Sequence, residues 1–360
     1  MIGTLHFSPD RVSPPGDTII DLMDEHGLTD VELSKKIGLS ISKGQQLLRG
    51  DMQLNECMAL RLQDIFDVSV NFWLKREGVY RKHIEHLNSV NKEWLDSLPV
   101  KDMINFGWIP KASTRELKFK YCMDFFGINS VNDFTRKINN DAPLVAFRKS
   151  LSLKTVPMAD LTWIIKAKEL SENYTCNKWD KGKLKSLIPD IRQFSNEPDV
   201  RKFIPQLKEI FAQTGVSFIV LPTPSGCRAS GATCFFKPDR ATLIVSFRHL
   251  TDDHFWFTLF HEIGHLILHD AIDIRVEGEK EISSKEELEA DQFAVDALIP
   301  KAFQKEIKKY RAKDWKDIVR TAKKIGVSKG IVLGHLQHIG NIPYSHLNRL
   351  KVRYKKDDII

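Results

Sequence analysis

Two histidines and a glutamate in one short stretch, His261, Glu262 and His265, have the types and spacing that most directly predict chemistry. Histidines four residues apart lie on one face of an α-helix, so both imidazoles can bind one Zn²⁺ ion at about 2.0 to 2.1 Å. Glu262 is rotated about 100° from His261 around the helix, so it is better placed to hold a water molecule and accept its proton. The spacing predicts a zinc-dependent hydrolytic site.

The residues around His261, Glu262 and His265 help to decide whether these three residues bind a metal ion or occur together by chance. Two histidines can also pack into the core of an ordinary amphipathic helix, with no metal between them. Here Glu262 lies among apolar residues, which include Phe257, Phe260 and Ile263. Burying a carboxylate in such surroundings is costly, and a cation beside it is the simplest compensation. The surroundings therefore favour the metal site.

A catalytic zinc ion needs a third protein ligand. His269 continues the same helix face, but eight residues place it about 12 Å from His261, too far to share one ion. A glutamate in the next predicted helix, Glu287, is the better candidate, with Glu286 as its rival. Alternatively, Glu287 forms a capping box with Ser284.

Small residues in that second helix allow it to pack closely against the first. Glu287, Ala290, Asp291 and Ala294 share one face, so the carboxylate of Glu287 can project inward. Asp291, one turn after Glu287, can accept a hydrogen bond from a ligand imidazole and orient it.

The hydrophobic pattern predicts the strands and helices that hold these side chains in place. Three short β runs at 216–221, 232–236 and 241–246 precede a helix at 253–268, and a second helix at 284–298 ends before Pro300. The middle β run is expected to flank the cleft, where an extended peptide could pair along its edge. Sheet followed by active-site helix is the order found in zincin peptidases.

The roles of several other polar residues stay open. Cys227 or Cys234 could supply a thiolate to the open zinc position, although small core cysteines are commoner. A peptidase also needs a donor for the oxyanion of its tetrahedral intermediate. The late candidates, for each of which a packing or surface role is the default, are His335, His338, Tyr344 and His346.

Residues 12–80 read as a compact helical domain. Helix-period segments run over 17–26, 30–37, 40–49 and 55–66. Thr29 and Glu32 predict a capping box, and Ser40 predicts the N-cap of the third segment. Helix, glycine turn and helix at this spacing are typical of a helix-turn-helix motif.

One six-residue segment of this motif recurs near the end of the chain. Lys35-Lys36-Ile37-Gly38-Leu39-Ser40 is nearly identical to Lys323-Lys324-Ile325-Gly326-Val327-Ser328. The repeat is interpreted as a helix-glycine-helix packing corner. A second DNA-reading helix is the alternative.

Three segments around the histidines resemble the ImmA/IrrE metallo-endopeptidase family. They are Phe255-Trp256-Phe257-Thr258-Leu259-Phe260-His261-Glu262-Ile263-Gly264-His265, Glu287-Leu288-Glu289-Ala290-Asp291-Gln292-Phe293-Ala294 and Leu298-Ile299-Pro300. The resemblance covers about 216–300. It implies that Glu287 completes the zinc site. Asp291 stands where the family more usually has asparagine, which leaves the ligand set intact.

Several N-terminal segments resemble the HigA-type antitoxin domain of the Xre-like repressors. They are Gly27-Leu28-Thr29, Gly38-Leu39-Ser40, Leu47-Leu48-Arg49-Gly50 and Ser69-Val70-Asn71-Phe72-Trp73-Leu74. The resemblance implies that the helix beginning at Ser40 enters the major groove. Its expected DNA-contacting residues carry amide, hydroxyl or cationic groups that bind bases and phosphates, and they are Ser42, Lys43, Gln45, Gln46 and Arg49.

Composition restricts the class of protein. The 360 residues are 42% hydrophobic and 28% charged, which is typical of globular domains and argues against extensive disorder. Five scattered cysteines argue against a disulfide framework, and no apolar run approaches the roughly 18 to 20 residues of a membrane span. With no signal-peptide pattern, we expect a cytoplasmic protein. The net charge of +7 is compatible with a polyanionic partner.

Together these patterns predict a mainly α protein with a small α+β zincin-like domain. The predicted divisions are a helix-turn-helix domain at 1–80, a helical linker or partner-binding region at 81–210, and a metallopeptidase domain at 211–360. The predicted function is a DNA-binding regulator or antitoxin, often a two-fold dimer, whose zinc domain cleaves a protein partner or itself. The alternative is a non-enzymatic antitoxin whose zincin-like domain docks a toxin around a structural metal.

Overall fold

The computed structural model describes residues 13–140, 158–269, 275–276 and 284–355. Contacts divide the chain into two compact units. The N-terminal unit comprises residues 1–96 with 129–132, and the C-terminal unit comprises 97–128 with 133–360.

The described residues of the N-terminal unit form helices, and Thr29, Ser40 and Asn55 each cap the start of one of them. The helices are α1 (Pro15–His26), α2 (Asp30–Lys36), α3 (Ile41–Leu48), α4 (Glu56–Phe66) and α5 (Val70–Ser97). The predicted capping box is confirmed, because Thr29 and Glu32 bond each other's backbone amides. Ser40 accepts from the amide of Lys43, which confirms it as the N-cap of α3.

Glycine at position 44 brings α2 and α3 together. A Cβ atom there would lie 2.0 Å from the Ser34 hydroxyl oxygen and 3.1 Å from the Ser34 Cβ. Gly44 therefore permits close packing that would partly offset its low helix propensity. The buried core below includes Ile19, Leu33, Leu47, Leu62 and Trp73.

The rest of the chain alternates helices with one small sheet, in agreement with the mainly α prediction. Among the described residues, seven further helices precede the sheet: α6 (Val100–Asn105), α7 (Arg115–Phe126), α8 (Val131–Asn140), α9 (Met158–Glu172), α10 (Lys181–Ser186), α11 (Ile188–Gln193) and α12 (Val200–Gln213). Then come β1 (Val216–Val220), β2 (Gly231–Lys237), β3 (Arg240–Val245), α13 (Asp252–Leu268), β4 (Arg275–Val276), α14 (Ser284–Leu298), α15 (Lys301–Ile307), α16 (Trp315–Ile325) and α17 (Lys329–His338). No helix in the described part of the chain is long and apolar enough to cross a bilayer.

The sheet has the strand order β1-β3-β2-β4. β1 runs parallel to β3, with Val216 opposite Ala241, and β2 runs antiparallel to both β3 and β4. The three predicted strands match β1, β2 and β3 to within one residue at each end. β4 was not predicted, because two residues are too short to show an alternating pattern.

The predicted boundaries at residues 80 and 210 differ from the observed division. α5 continues unbroken through residue 80. Leu184, Ile191 and Phe203 belong to the same buried core as Phe218 and Trp256, so the C-terminal part of the predicted linker packs with the sheet. The segment 97–210 therefore does not stand apart as a third unit.

Candidate metal centre

The helix that carries the histidines, α13, is buried along almost its whole length. Phe255, Trp256 and Phe260 pack into the core of the C-terminal unit. α14 approaches α13 closely at Gly264, where a Cβ atom would lie 3.1 Å from the Phe293 ring and 3.2 Å from the Cα of Ala290. This close packing explains why a side chain of α14 can reach the histidines.

His261, His265 and Glu287 lie together with their ligand atoms pointing at one another. The two imidazole Nε2 atoms are 3.0 Å apart, and the carboxylate oxygens of Glu287 lie 3.4 Å from Nε2 of His261 and 3.2 Å from Nε2 of His265. Ligands about 2.0 to 2.1 Å from a tetrahedral zinc ion are separated by roughly 3.3 Å. The two imidazole nitrogens and the carboxylate therefore lie at about the mutual spacing that ligands of one zinc ion require.

Hydrogen bonds behind the two imidazoles fix which ring nitrogen faces this centre. Nδ1 of His261 lies 2.9 Å from the carboxylate of Asp291. Nδ1 of His265 lies 3.1 Å from Nδ1 of His269, whose Nε2 lies 3.1 Å from the carboxylate of Glu289. A carboxylate can only accept, so the protons are assigned to Nε2 of His269 and to Nδ1 of both His261 and His265. Both Nε2 lone pairs then face the centre, as a cation requires.

Glu287 supplies the negative charge at the centre. Its carboxylate presents one oxygen to Nε2 of His261 and the other to Nε2 of His265. Among the described residues, His261, His265 and Glu287 form the one group of three whose ligand atoms all lie within 4.8 Å of one another. Glu286, the rival candidate, is outside that group.

Glu262 lies beside the centre and is fully buried. A Cβ atom at Gly231, the first residue of β2, would lie 2.6 Å from the Glu262 carboxylate and 2.7 Å from the methyl group of Thr258. Glycine at the start of this strand therefore leaves the space that the carboxylate occupies. β2 flanks Glu262, as the sequence predicted for the middle β run.

The edge of β2 is less open than expected. β4 pairs with β2 at Ala232 and Thr233, so an incoming peptide cannot pair with those two residues while β4 is in place. The expectation of β-augmentation along this part of β2 is therefore wrong. β4 was not predicted because its residues lie in a charged stretch that was interpreted as a loop.

The structure argues against a cysteine at the open metal position. Cys227 and Cys234 are both buried. Burial raises the pKa of each thiol, and the nearby carboxylates of Asp160 and Glu262 raise the pKa of Cys227 and Cys234 respectively. A neutral thiol is a poor metal ligand. Both cysteines therefore fit the alternative role of small core residues.

Three of the four late candidates line one pocket next to the site, namely His335, His338 and Tyr344. His346 is exposed and does not line it. Sequence reasoning missed the supporting roles of His269 and Glu289. The available signal was that His269 follows His265 by four residues, and thus by one helical turn.

The residues predicted to contact DNA lie on α3 or at its end. Ser42, Lys43, Gln45, Gln46 and Arg49 are all exposed. Arg49 forms an ion pair of 3.2 Å with Asp51, in which both side chains are about two-thirds exposed (64% and 63%). An exposed pair of this kind is weak and leaves Arg49 able to bind elsewhere.

No curated protein matches this chain. Residues 224–336, the segment from the loop before β2 to near the end of α17, match the sequence profile of the Peptidase_M78 family, described as the IrrE N-terminal-like domain. The match includes His261, Glu262, His265 and Glu287. This part of the chain is thus similar to a metallopeptidase-type domain.

Proposed function

We propose that the chain is a DNA-binding regulator or antitoxin whose C-terminal unit is a zinc-dependent peptidase. The observation that carries the enzymatic half is the convergence of His261, His265 and Glu287 beside the buried carboxylate of Glu262. A purely structural metal site has no need of an additional carboxylate at that place. The substrate is a protein partner, a cognate toxin or the chain itself.

Zinc is the metal that best fits this donor set. Two imidazoles and one carboxylate are typical of catalytic zinc sites, which keep a fourth position open. When bound, Zn²⁺ polarises the carbonyl of the peptide bond and makes water easier to deprotonate. The carboxylates of Asp291 and Glu289 hold the donor imidazoles, Glu289 acting through His269, so that little reorganisation is needed when the ion binds.

Glu262 is assigned the proton transfers. Its carboxylate accepts a proton from the attacking water and returns it to the leaving amine. Its position between Gly231 of β2 and Thr258 on α13 fixes the side chain and excludes bulk water from around it. Exclusion of water strengthens the interaction between this carboxylate and the reacting groups.

The substitution Glu262→Gln tests the enzymatic assignment. The glutamine has nearly the same size but cannot accept the proton, so we expect about one zinc ion per chain to remain while cleavage falls at least 100-fold. Elemental analysis measures the metal, and mass spectrometry measures cleavage of the full chain, of an unfolded protein such as casein and of a candidate partner. Glu287→Gln is the matched control on α14, for which metal content should fall as well.

Two outcomes would contradict this assignment. Cleavage that is unchanged in Glu262→Gln would show that another group accepts the proton. Zinc that binds in both proteins with no cleavage of any substrate would favour the non-enzymatic antitoxin, in which the domain docks a toxin.

The regulatory half rests on the exposed polar side chains of α3. Gln45 and Gln46 can bind adenine edges, whereas Lys43 and Arg49 can bind phosphate or guanine. A gel shift on the DNA upstream of the chain's own gene, titrated with salt, should show affinity that falls steeply as salt rises. Binding to two half-sites about one helical turn apart would indicate the expected two-fold dimer. Absence of binding at low salt would favour a protein-interaction role for this unit.

A further inference from the structure

The positive charge of this chain is concentrated near its C-terminal end. Residues 301–360 contain 16 of the 54 lysines and arginines but only 5 of the 47 acidic residues, so their net charge is +11. The net charge of the whole chain is +7, so the remaining residues are slightly acidic in sum. A strongly basic segment of this kind is the electrostatic pattern that attracts a polyanion.

One end of α16 adds an exposed aromatic ring to this basic segment. Trp315, the first residue of α16, is 37% exposed. The guanidinium carbon of Arg349 lies 5.4 Å from the centroid of the Trp315 ring, and the ammonium nitrogen of Lys316 lies 5.8 Å from it. Both distances are within the range of a cation–π interaction, which holds the two cations beside the indole. We call Trp315, Lys316 and Arg349 the Trp315 cluster.

The two cations of the Trp315 cluster are available to an anionic ligand. Lys316 and Arg349 are exposed, and neither forms an ion pair with an acidic side chain among the described residues. Arg320, one helical turn after Lys316, by contrast forms an ion pair with Asp317. Two cations beside one ring repel each other, and an anion bound between them removes that cost.

The exposed ring distinguishes between the classes of polyanion. A nucleic acid offers phosphates to the cations and bases that stack on an indole, whereas an acidic peptide segment offers the charges alone. An anionic membrane takes up several apolar side chains together. On α15, α16 and α17, all of whose residues the structure describes, Trp315 is the one exposed large apolar side chain. These features favour a nucleic acid.

We propose that the Trp315 cluster binds single-stranded nucleic acid, with one base stacked on the indole and neighbouring phosphates bound by Lys316 and Arg349. In a duplex each base is stacked between its neighbours, so stacking on the indole requires an unpaired strand. The cluster belongs to the C-terminal unit, whereas α3, whose expected ligand is the major groove of a duplex, belongs to the N-terminal unit. The inference goes beyond the proposed function and does not require peptidase activity.

Fluorescence titration of the full chain with a single-stranded oligothymidylate tests the proposal. Stacking on Trp315 should quench tryptophan emission, and the affinity should fall steeply as salt rises. Trp315→Leu should remove this quenching and weaken binding at least about fivefold, because one base–aromatic stack is lost. No binding at low salt, or the same quenching in Trp315→Leu, would overturn the proposal.

Two lysines of α16 provide a matched pair of variants. Lys316 and Lys324 are both exposed, and Lys324 lies about 12 Å farther along the helix. Lys316→Ala should make the slope of log affinity against log salt less steep by about 0.7, the value for one phosphate of a single strand. Lys324→Ala removes the same charge and should leave the slope unchanged. Equal changes in the two slopes would overturn the assignment of the site to the Trp315 cluster. If Trp315→Leu fails to fold, these two slopes and the quenching in the unchanged chain decide.

Two further probes separate a nucleic acid from the other polyanions. Polyglutamate carries negative charge without bases, and vesicles of phosphatidylserine and phosphatidylcholine present an anionic membrane. We expect both to bind more weakly than oligothymidylate at the same salt concentration and to be insensitive to Trp315→Leu. Polyglutamate that binds as tightly as oligothymidylate would overturn the proposal in favour of an acidic protein. Vesicles that bind more tightly than oligothymidylate, and lose that affinity in Trp315→Leu, would overturn it in favour of a membrane.

Discussion

Two helix-glycine-helix corners in this chain share nearly the same six residues, yet the helices that follow them have opposite environments. Lys35–Ser40 and Lys323–Ser328 each end a helix at a glycine with positive φ, 72° at Gly38 and 81° at Gly326, and each begins the next helix at a serine N-cap. After Ser40, the polar side chains of α3 are exposed. After Ser328, α17 is mostly buried in the core of the C-terminal unit.

The six shared residues therefore specify the turn between two helices, and the ten residues that follow determine whether the second helix is exposed or buried. Lys43 and Gln45 of α3 correspond to Ile331 and Leu333 of α17, which are buried. A helix whose outward positions are apolar is drawn into a core, whereas a helix with polar residues there stays on the surface. The interpretation of the C-terminal repeat as a packing corner therefore fits the structure, and a second DNA-reading helix at this place does not.

Exchange of equivalent residues between the helices that follow the two corners should give the largest change in the free energy of unfolding. Leu333 is fully buried, so Leu333→Gln creates a cavity and buries an amide, and we expect the C-terminal unit to lose about 3 kcal/mol or more of unfolding free energy. The reverse change at the equivalent exposed position, Gln45→Leu, should alter stability by less than about 0.5 kcal/mol. Hydrogen exchange followed by mass spectrometry resolves the two units separately. Equal losses of unfolding free energy in the two variants would contradict the difference in burial between the two helices.

A pH effect of similar size should be confined to the C-terminal corner. Burial raises the pKa of Asp252 to about 6, although the hydroxyl of Ser328 and the amide of Val352 both donate to its carboxylate and lower it. The folded protein thus holds this proton more tightly than the unfolded chain. The associated stabilisation is fully present below about pH 4 and is lost as the pH rises through about 6, by roughly 3 kcal/mol.

The comparison with Asp252→Asn isolates this effect. His335 has its pKa lowered to about 4 by burial, and its contribution has the opposite sign, since it stabilises the fold as the pH rises. Subtracting the pH profile of Asp252→Asn from that of the unchanged chain cancels His335 and leaves Asp252. Unfolding by urea at pH values from 4 to 7, followed by hydrogen exchange in the C-terminal unit, measures both profiles. If the difference between the two unfolding free energies does not change with pH, the raised pKa of Asp252 is contradicted.

Local signals made much of the fold predictable, and contacts distant in sequence account for what was missed. The bounds of α13 and α14 follow from apolar spacing, from Ser284 and from Pro300, and the grouping of His261 with His265 follows from helix geometry alone. The bonds from His265 through His269 to Glu289 depend on how α13 and α14 cross, which no spacing reveals. The predicted boundary at residue 80 differs from the observed division because α5 continues as one helix past Gly78 to Ser97, and the change of unit lies at its end, shortly before Pro99.

Removing each of the two serine caps should lower the free energy of unfolding by a different amount, and both losses should be smaller than the loss expected for Leu333→Gln. Ser40 is exposed and accepts only a long bond of 3.4 Å from Lys43, so Ser40→Ala should cost about 1 kcal/mol or less. Ser328 is buried, caps Gly330 at 3.1 Å and donates to Asp252, so Ser328→Ala removes a cap and a donor to a buried carboxyl group. We expect a loss of about 2 kcal/mol. Thermal unfolding of the two variants, with hydrogen exchange to assign the unit, checks the order. A larger loss for Ser40→Ala would show that burial does not set the cost.

The smallest expected effect concerns DNA. Lys43 is exposed on α3 and is expected to neutralise one phosphate, so Lys43→Ala should weaken binding by about 1 kcal/mol at all DNA sequences. Because one fewer counterion is released, the slope of log affinity against log salt should also become less steep by about 1. Lys324 is the matched control, because it is an exposed lysine of the C-terminal corner and its loss changes the net charge equally. Lys324→Ala should leave the slope unchanged. If both variants shift the slope by the same amount, net charge alone attracts the DNA, and α3 has no special part in binding it.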